Sequence, residues 1–387
     1  MEVGIYSFFA GAGFLDLGFE KTEGFNINFV NEIHKPFLDA YDHSRARLNI
    51  EKPNFGYSNE DITNLLEGNS LSKLIHESKK KDDLTGFIGG PPCPDFSVGG
   101  KNKGSNGKNG ILSQTYIDLI CKNKPDFFLF ENVKGLYRTE KHRVFFTKLK
   151  NQLTENGYFL TEKLVNALEY GVPQDRDRII LIGFRRKALK SAGLNSYSNA
   201  DLNNKFDWNI HTLYDRESVF SINWPTSLPF NENGSLEMPN DIIENLTVQY
   251  WFNKNKVIGH PNSIHCFNPK SNKFKIIEEG DDSKKSYKRL HRWRYSPTAA
   301  YGNNEVHLHP YKARRISAAE ALSIQSLPIS FVLPEDMTLT NMFKTIGNGV
   351  PYLLAKGLAQ TIIDFVTNSK DEKINSKQPN KLYQSIT

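Results

Sequence analysis

The chain has 387 residues, 38% hydrophobic and 24% charged, with a formal net charge of +6. That length allows one large domain and a smaller one, and the hydrophobic share allows a sizeable core. Cys93, Cys121 and Cys266 lie far apart and without metal-ligand spacing, which excludes a disulfide framework and points to a reducing compartment. The N-terminus has no basic stretch before its first apolar run, and no segment approaches a membrane span, so a cytoplasmic protein without membrane contact is expected.

In chain order, an apolar run at 3–9 ends in the turn Ala10-Gly11-Ala12-Gly13, and helical spacing follows over 14–21. A second strand is predicted over 26–31, with Glu32 at its end, and Asp61 and Ile62 follow a loop. Strands are predicted at 84–88, 126–131 and 178–184, with helical patterns at 116–122 and 145–153 between them. Strands alternating with helices predict a parallel α/β sheet. After about Lys187 the pattern breaks, and up to about Val306 the text is rich in Asn, Ser, Pro and aromatics. A second, smaller, loop-rich domain is expected there. Helical patterns return at 318–327 and 351–366, and the polar residues 367–387 are expected to be disordered.

Charge is uneven along the chain. The stretch from Lys254 to Arg315 carries Lys270, Lys273, Lys275, Lys284, Lys285, Lys288, Arg289, Arg292 and Arg294, interleaved with Trp251, Phe252, Tyr287, Trp293 and Tyr295. Basic residues among aromatics suit phosphate contact with base stacking; a solvated charged face is the alternative.

Four stretches carry chemistry. In GGPPCPDFS (89–97), prolines stiffen the backbone beside Cys93 at a strand end, a setting that suits a nucleophile; a small buried apolar residue is the other reading. The glycines of FAGAG (9–13) let backbone approach a ligand, and no third glycine completes the pyrophosphate fingerprint, which tilts away from a nicotinamide cofactor. With Glu32 placed to accept from ribose hydroxyls and Asp61 from an adenine amino group, the order suggests an adenosine-containing cofactor. Glu131, behind Phe127, Phe128 and Phe130, sits where burial disfavours the charged form, so that it could donate a hydrogen bond or pair with a nearby arginine. In QDRDR (174–178), Arg176 and Arg178 fall on one side of an extended chain and could hold an anionic oxygen.

GPPCPDFS, ENV, YGVPQDRDR, RRISAAEALSIQSLP and TIGNGVP, in this order and with FAGAG before them, resemble the C5-cytosine DNA methyltransferases over about 1–186 and 310–365. The resemblance implies a Rossmann-like, S-adenosylmethionine-dependent methyltransferase sheet, with a smaller irregular target recognition domain. The implied division is a catalytic and cofactor-binding domain at 1–186, target recognition at 187–306, a return to the catalytic domain at 307–366, and a polar tail at 367–387. His291–Gly302 resembles the segment that closes the recognition domain.

The implied cofactor is S-adenosyl-L-methionine, with no metal. It would lie over Phe9, Gly11 and Gly13, with Glu32 at its ribose, Asp61 and Ile62 near its adenine, and Pro92, Asn348 and Val350 also lining the site. Cys93 would attack C6 of cytosine, Glu131 would hold the N3/N4 edge, Arg176 would contact the ring carbonyl oxygen, and Arg178 would orient it. The glycine- and lysine-rich loop Val98–Gly110 would act as lid, and the target base would be flipped out of duplex DNA. As a single enzyme without added modules, it resembles the modification partner of a restriction endonuclease, with host DNA protection as its role, and such enzymes are usually monomers.

The chain departs from the common pattern at Pro94 (often Gln), at Lys344-Thr345 (often Arg-Gln), and at Gly349, which replaces a small side chain. A transfer RNA methyltransferase of the same fold and a catalytically inactive DNA-binding homologue are the rival readings. The basic 187–306 segment favours duplex DNA over the first, and the intact Cys93, Glu131, Arg176 and Arg178 weigh against the second.

Overall fold

The computed structural model describes residues 1–92, 108–194, 197–267, 271–299, 301 and 305–367. Cys93, Pro94, most of the expected lid (98–107) and the tail from 368 onward lie outside these residues, as do 268–270, 300 and 302–304.

Seven strands form one sheet: β1 (Val3–Phe8), β2 (Phe25–Asn31), β3 (Tyr57–Ser58), β4 (Leu84–Gly89), β5 (Phe127–Val133), β6 (Phe159–Asn166) and β7 (Asp177–Phe184). Their order across the sheet is β3-β2-β1-β4-β5-β7-β6. β1 to β5 are parallel, whereas β7 runs antiparallel between β5 and β6. Fully buried runs such as VGIYSF in β1 arise because both faces of the sheet are covered.

The period-2 alternation of strand side chains divides the core. Phe127, Leu129, Ile180 and Ile182 pack with Leu15, Phe19, Leu354 and Leu358 on one face. Phe128, Phe130, Ile179 and Leu181 pack with Ile62, Ile75, Ile117 and Leu149 on the other. The first face is covered by α1 (Phe14–Glu20) and α2 (Lys35–Arg47). The second is covered by α3 (Ile62–Glu67), α4 (Ser70–Ser78), α5 (Lys108–Asn123) and α6 (Glu140–Glu155).

Two further helices, α7 (Arg186–Ser191) and α8 (Asn199–Lys205), follow the sheet. Their Ala188, Leu189 and Leu202, together with Leu194 and Phe206, belong to the same core as the strands, and Phe206 stacks edge-on against Phe365. The sheet core thus extends past the point at which the sequence pattern breaks. Beyond it come the short helices α9 (Arg216–Ser221), α10 (Val248–Lys254) and α11 (Lys273–Ile276) in otherwise irregular chain.

Helices α12 (Ala318–Ile324), α13 (Leu339–Asn348) and α14 (Tyr352–Val366) end the described chain. α14 returns to the sheet beside α1, so closely that a Cβ on Gly18 would lie 2.6 Å from the Ala355 Cβ. A second core joins Phe252, Leu290, Leu322, Phe343 and Ile346 to Phe14 and Phe37, tying the irregular region to α1 and α2.

Candidate active site

The neighbours of β1 are β2 on one side and β4 on the other, so chain order reverses there, and ligands of such sheets bind beyond the strand ends at that point. The FAGAG turn leaves β1 at this reversal. Phe9 (φ 55), Gly11 (φ 59) and Gly13 (φ 77) all lie in the left-handed region. For Phe9 that conformation is a strained one of the kind that clusters at ligand sites.

Gly13 is required doubly: a Cβ there would also sit 2.5 Å from Tyr41 Cδ2 and 2.6 Å from Arg45 Nη2. Gly11 differs, because a Cβ on it would meet only Thr345 Oγ1, at 3.7 Å, across otherwise open space. The turn is therefore packed on one side and open on the side that faces α13.

A buried polar network supports this turn. Arg45 donates to the carbonyls of Gly13 (2.6 Å) and Ala12 (3.3 Å), pairs with Glu20 (2.8 Å), and lies 4.0 Å over the Tyr41 ring. Tyr41 and Ser7 donate to Asp16 at 3.1 and 2.9 Å, and burial pushes that carboxyl up to about 6.

Glu32 accepts the Gly11 N–H at 2.9 Å and the His34 N–H at 2.8 Å, and burial raises its pKa. Asp61 caps α3 by accepting from the Thr63 N–H and hydroxyl, bonds that lower its pKa, while Ile62 is buried beneath it. Asn31 bonds the Ser58 and Glu60 carbonyls, and Asn59 bonds those of Glu32 and Ile33, so the two acids are held in register. Glu32 and Thr345 thus both approach Gly11. Pro92 and Asn348 are exposed and Val350 is buried.

On the other side of β4, Glu131 near the end of β5 is 8% exposed, and its Oε1 lies 2.6 Å from Arg178 Nε. The arginine pair expected for this carboxylate is present, a reading compatible with its use at a bound base. A Cβ on Gly90 would fall 2.7 Å from Glu131 Oε2, so the backbone at Gly90, three residues before Cys93 in the sequence, passes close to the carboxylate. The adjacent Asn132 is 1% exposed, and its Nδ2 has no partner among the described residues.

The two arginines of QDRDR separate. Arg178 goes to Glu131, whereas Arg176, 1% exposed, donates to the carbonyls of Ala299 (3.1 Å), Gly347 (2.9 Å) and Gly349 (3.0 Å). Buried Gln174 accepts the Ala299 N–H at 3.0 Å and reaches Gln325, which bonds the Ile346 carbonyl. The approach to strand β7, the segment at Ala299, and α12 and α13 are thereby pinned together.

The basic, aromatic stretch is only partly a surface. Arg289 is fully buried and donates to the carbonyls of Ile277, His309, Lys312 and Phe274. Arg292 is buried and paired with Glu279 at 2.7 Å, and Trp251 and Phe252 are core residues. Irregular backbone that lacks ladder partners must find donors elsewhere, and these guanidiniums supply them. Lys273, Lys275, Lys284 and Lys285 remain exposed.

Comparison with known proteins agrees with this geometry. The family model for C-5 cytosine-specific DNA methylase matches residues 3–364. Type II methyltransferase M.NmeDI of Neisseria meningitidis serogroup C is 58% identical over 370 residues, 94% of this chain and 84% of that protein. Type II methyltransferase M.MthTI of Methanothermobacter thermautotrophicus is 29% identical, covering 94% of this chain and 97% of its own. Among solved structures, a methyltransferase encoded within an E. coli prophage has a TM-score of 0.58 at 21% identity, covering 94% of this chain and 99% of its own. The Dnmt2 methyltransferase of S. pombe has a TM-score of 0.55 at 13% identity, covering 95% and 99%. At such identities these two share the fold.

The chain belongs to the C-5 cytosine-specific DNA methylase family. It is a DNA (cytosine-5-)-methyltransferase of the type II restriction–modification type, built on the seven-stranded sheet of S-adenosylmethionine-dependent enzymes.

Proposed function

We propose that the protein methylates C5 of a cytosine flipped out of a specific duplex DNA sequence, protecting host DNA from a cognate restriction endonuclease. The observation that carries this reading is the Glu131–Arg178 pair lying against the backbone at Gly90, three residues before Cys93 in the sequence. S-adenosylmethionine, when bound, supplies the methyl group. Phe9, Gly11 and Gly13 would face it, Glu32 would take its ribose hydroxyls on the lone pairs left by Gly11 and His34, and Asp61 and Ile62 would border the adenine. Pro92, Asn348 and Val350 would complete the wall. The open side of Gly11 fits such a ligand, since backbone is exposed there for close approach.

In the reaction, the Cys93 thiolate would bond to C6 of the cytosine, and C5 would take the methyl group. Loss of the C5 proton then expels Cys93 and restores the ring. Glu131 would hold the N3/N4 edge, supplying the proton at N3 that draws electrons through the ring. The geometry favours Arg178 as the arginine at the pyrimidine, because it already touches Glu131, and Arg176 as a positioning residue, because its Nη1 and Nη2 are engaged by carbonyls.

We assign duplex reading to the irregular region within 187–306. Its groove-facing part would begin near α9, since Ala188, Leu189, Leu202 and Phe206 pack on the sheet. Incubation with labelled S-adenosylmethionine and plasmid DNA, followed by bisulfite sequencing, tests the proposal. Methylated cytosines at one recurring sequence are expected. Label on transfer RNA with none on DNA would overturn it, and full activity of Cys93→Ser would overturn the mechanism.

A further inference from the structure

Gly349 has φ −63 and ψ 147, a conformation open to any L-residue, so backbone does not demand glycine there. Space does. A Cβ on Gly349 would fall 2.8 Å from Phe14 Cε2, 2.9 Å from Cγ and closer still to Cδ2.

Phe14 is the first residue of α1, directly after the left-handed Gly13. It is 2% exposed, and its ring stands edge-on to Phe331 with centroids 5.2 Å apart at 90°. A ring held between Gly349 and Phe331 has no free side toward which to rotate. The missing side chain at 349 noted in the sequence thus has a structural counterpart: the ring of Phe14 fills its room.

We propose that Phe14 and Gly349 form a matched pair that sets the width of the cofactor cleft, acting as positioning residues. Phe14 extends from the turn that carries Gly11 and Gly13, and Gly349 caps α13, which carries Thr345 and Asn348 on the far wall. The ring stands between the two walls at this level. Arg176 holds the Gly349 carbonyl at 3.0 Å from behind, so the glycine cannot recede from an added methyl group. One helical turn further along α1, Gly18 packs so closely on Ala355 that an added Cβ would lie 2.6 Å from the Ala355 Cβ, which leaves α1 little room to yield. Added bulk at 349 must therefore displace Phe14 or the turn that precedes it.

This inference rests on the placement of S-adenosylmethionine at the FAGAG turn, so its test measures binding before turnover. Calorimetric titration of the full chain with S-adenosylhomocysteine, the demethylated cofactor, is followed for wild type, Gly349→Ala, Phe14→Ala and the double variant. Gly349→Ala should weaken binding about tenfold or more, as overpacking of a tight contact does, and raise KM for the cofactor with KM for DNA unchanged. Phe14→Ala in the same chain should restore most of that loss, so the double variant binds more tightly than the product of the single effects. Thermal melting of each variant separates cleft effects from unfolding, and if Gly349→Ala fails to fold, a folded, binding-competent double variant still shows the pairing. Independent single effects, or unaltered binding by Gly349→Ala, would overturn the pair. Absence of binding to wild type would overturn the cofactor placement instead.

Discussion

Arg178 reaches diagonally across an antiparallel strand pair to Glu131: Val133 faces Arg178 and Glu131 faces Ile180, yet Nε and Oε1 are 2.6 Å apart. Diagonal neighbours on one sheet face are within reach of a long side chain. A charge-assisted bond between two nearly buried groups fixes the orientation of both. Glu131→Gln keeps the shape and removes the charge and the acid function. It should lower kcat by about 10²–10⁴-fold, the usual contribution of a positioned acid, with KM for the cofactor unchanged. Steady-state kinetics on a methylatable duplex checks this; a kcat within twofold of wild type would remove Glu131 from the mechanism.

Arg176 should behave differently from its neighbour two residues on. Its loss leaves the carbonyls of Ala299, Gly347 and Gly349 buried without their donors. Each such group costs about 1–3 kcal/mol. Arg176→Gln should therefore lower the melting midpoint by several degrees, whereas Arg178→Gln should lower kcat with a smaller change in melting. Both quantities are read on the same two preparations.

The two glycines of the turn should also separate. Gly13→Ala forces a Cβ against Tyr41 and Arg45 at φ 77 and should destabilise the fold by about 1–3 kcal/mol. Gly11→Ala meets only Thr345 at 3.7 Å, so beyond the backbone strain its effect should fall on KM for the cofactor. Denaturant unfolding and cofactor titration together distinguish the two.

Asp16 predicts a pH dependence. Its carboxyl titrates near 6 in the folded chain because burial outweighs the Arg45 charge, against roughly 3.9 when unfolded. A carboxyl raised by folding keeps its proton in the native state after the unfolded chain has lost it. Its contribution is thus full below about pH 4 and is lost as pH rises to about 6. Asp16→Asn does not titrate, so its stability relative to wild type should improve by about 1–3 kcal/mol between pH 4 and 7, at about 1.4 kcal/mol per unit. A difference that stays flat over that range would contradict the buried, protonatable state.

Much of the catalytic half was legible because its strands are buried on both faces and read as apolar runs, as in β1, β4 and β5. Strand β6 was not, since its FLTEKLVN carries Thr161, Glu162 and Lys163 at the sheet edge. Helix α2 escaped because its buried face includes Ser44 and Arg45, which are polar, and Arg45 has meaning only beside Glu20 and Gly13. The basic stretch misled for a related reason. Sequence does not distinguish a guanidinium that faces solvent from one, like Arg289, that satisfies carbonyls inside an irregular fold.

All three main-chain acceptors of Arg176 are peptide oxygens, which every residue type carries. The strand bearing Arg178 thus recognises the returning segment at Ala299 by its path and not by its side chains. At that junction the chain between α9 and Ala299 is held whatever side chain it carries there, while Phe252 and Leu290 must still match the second core around Phe14 and Phe37.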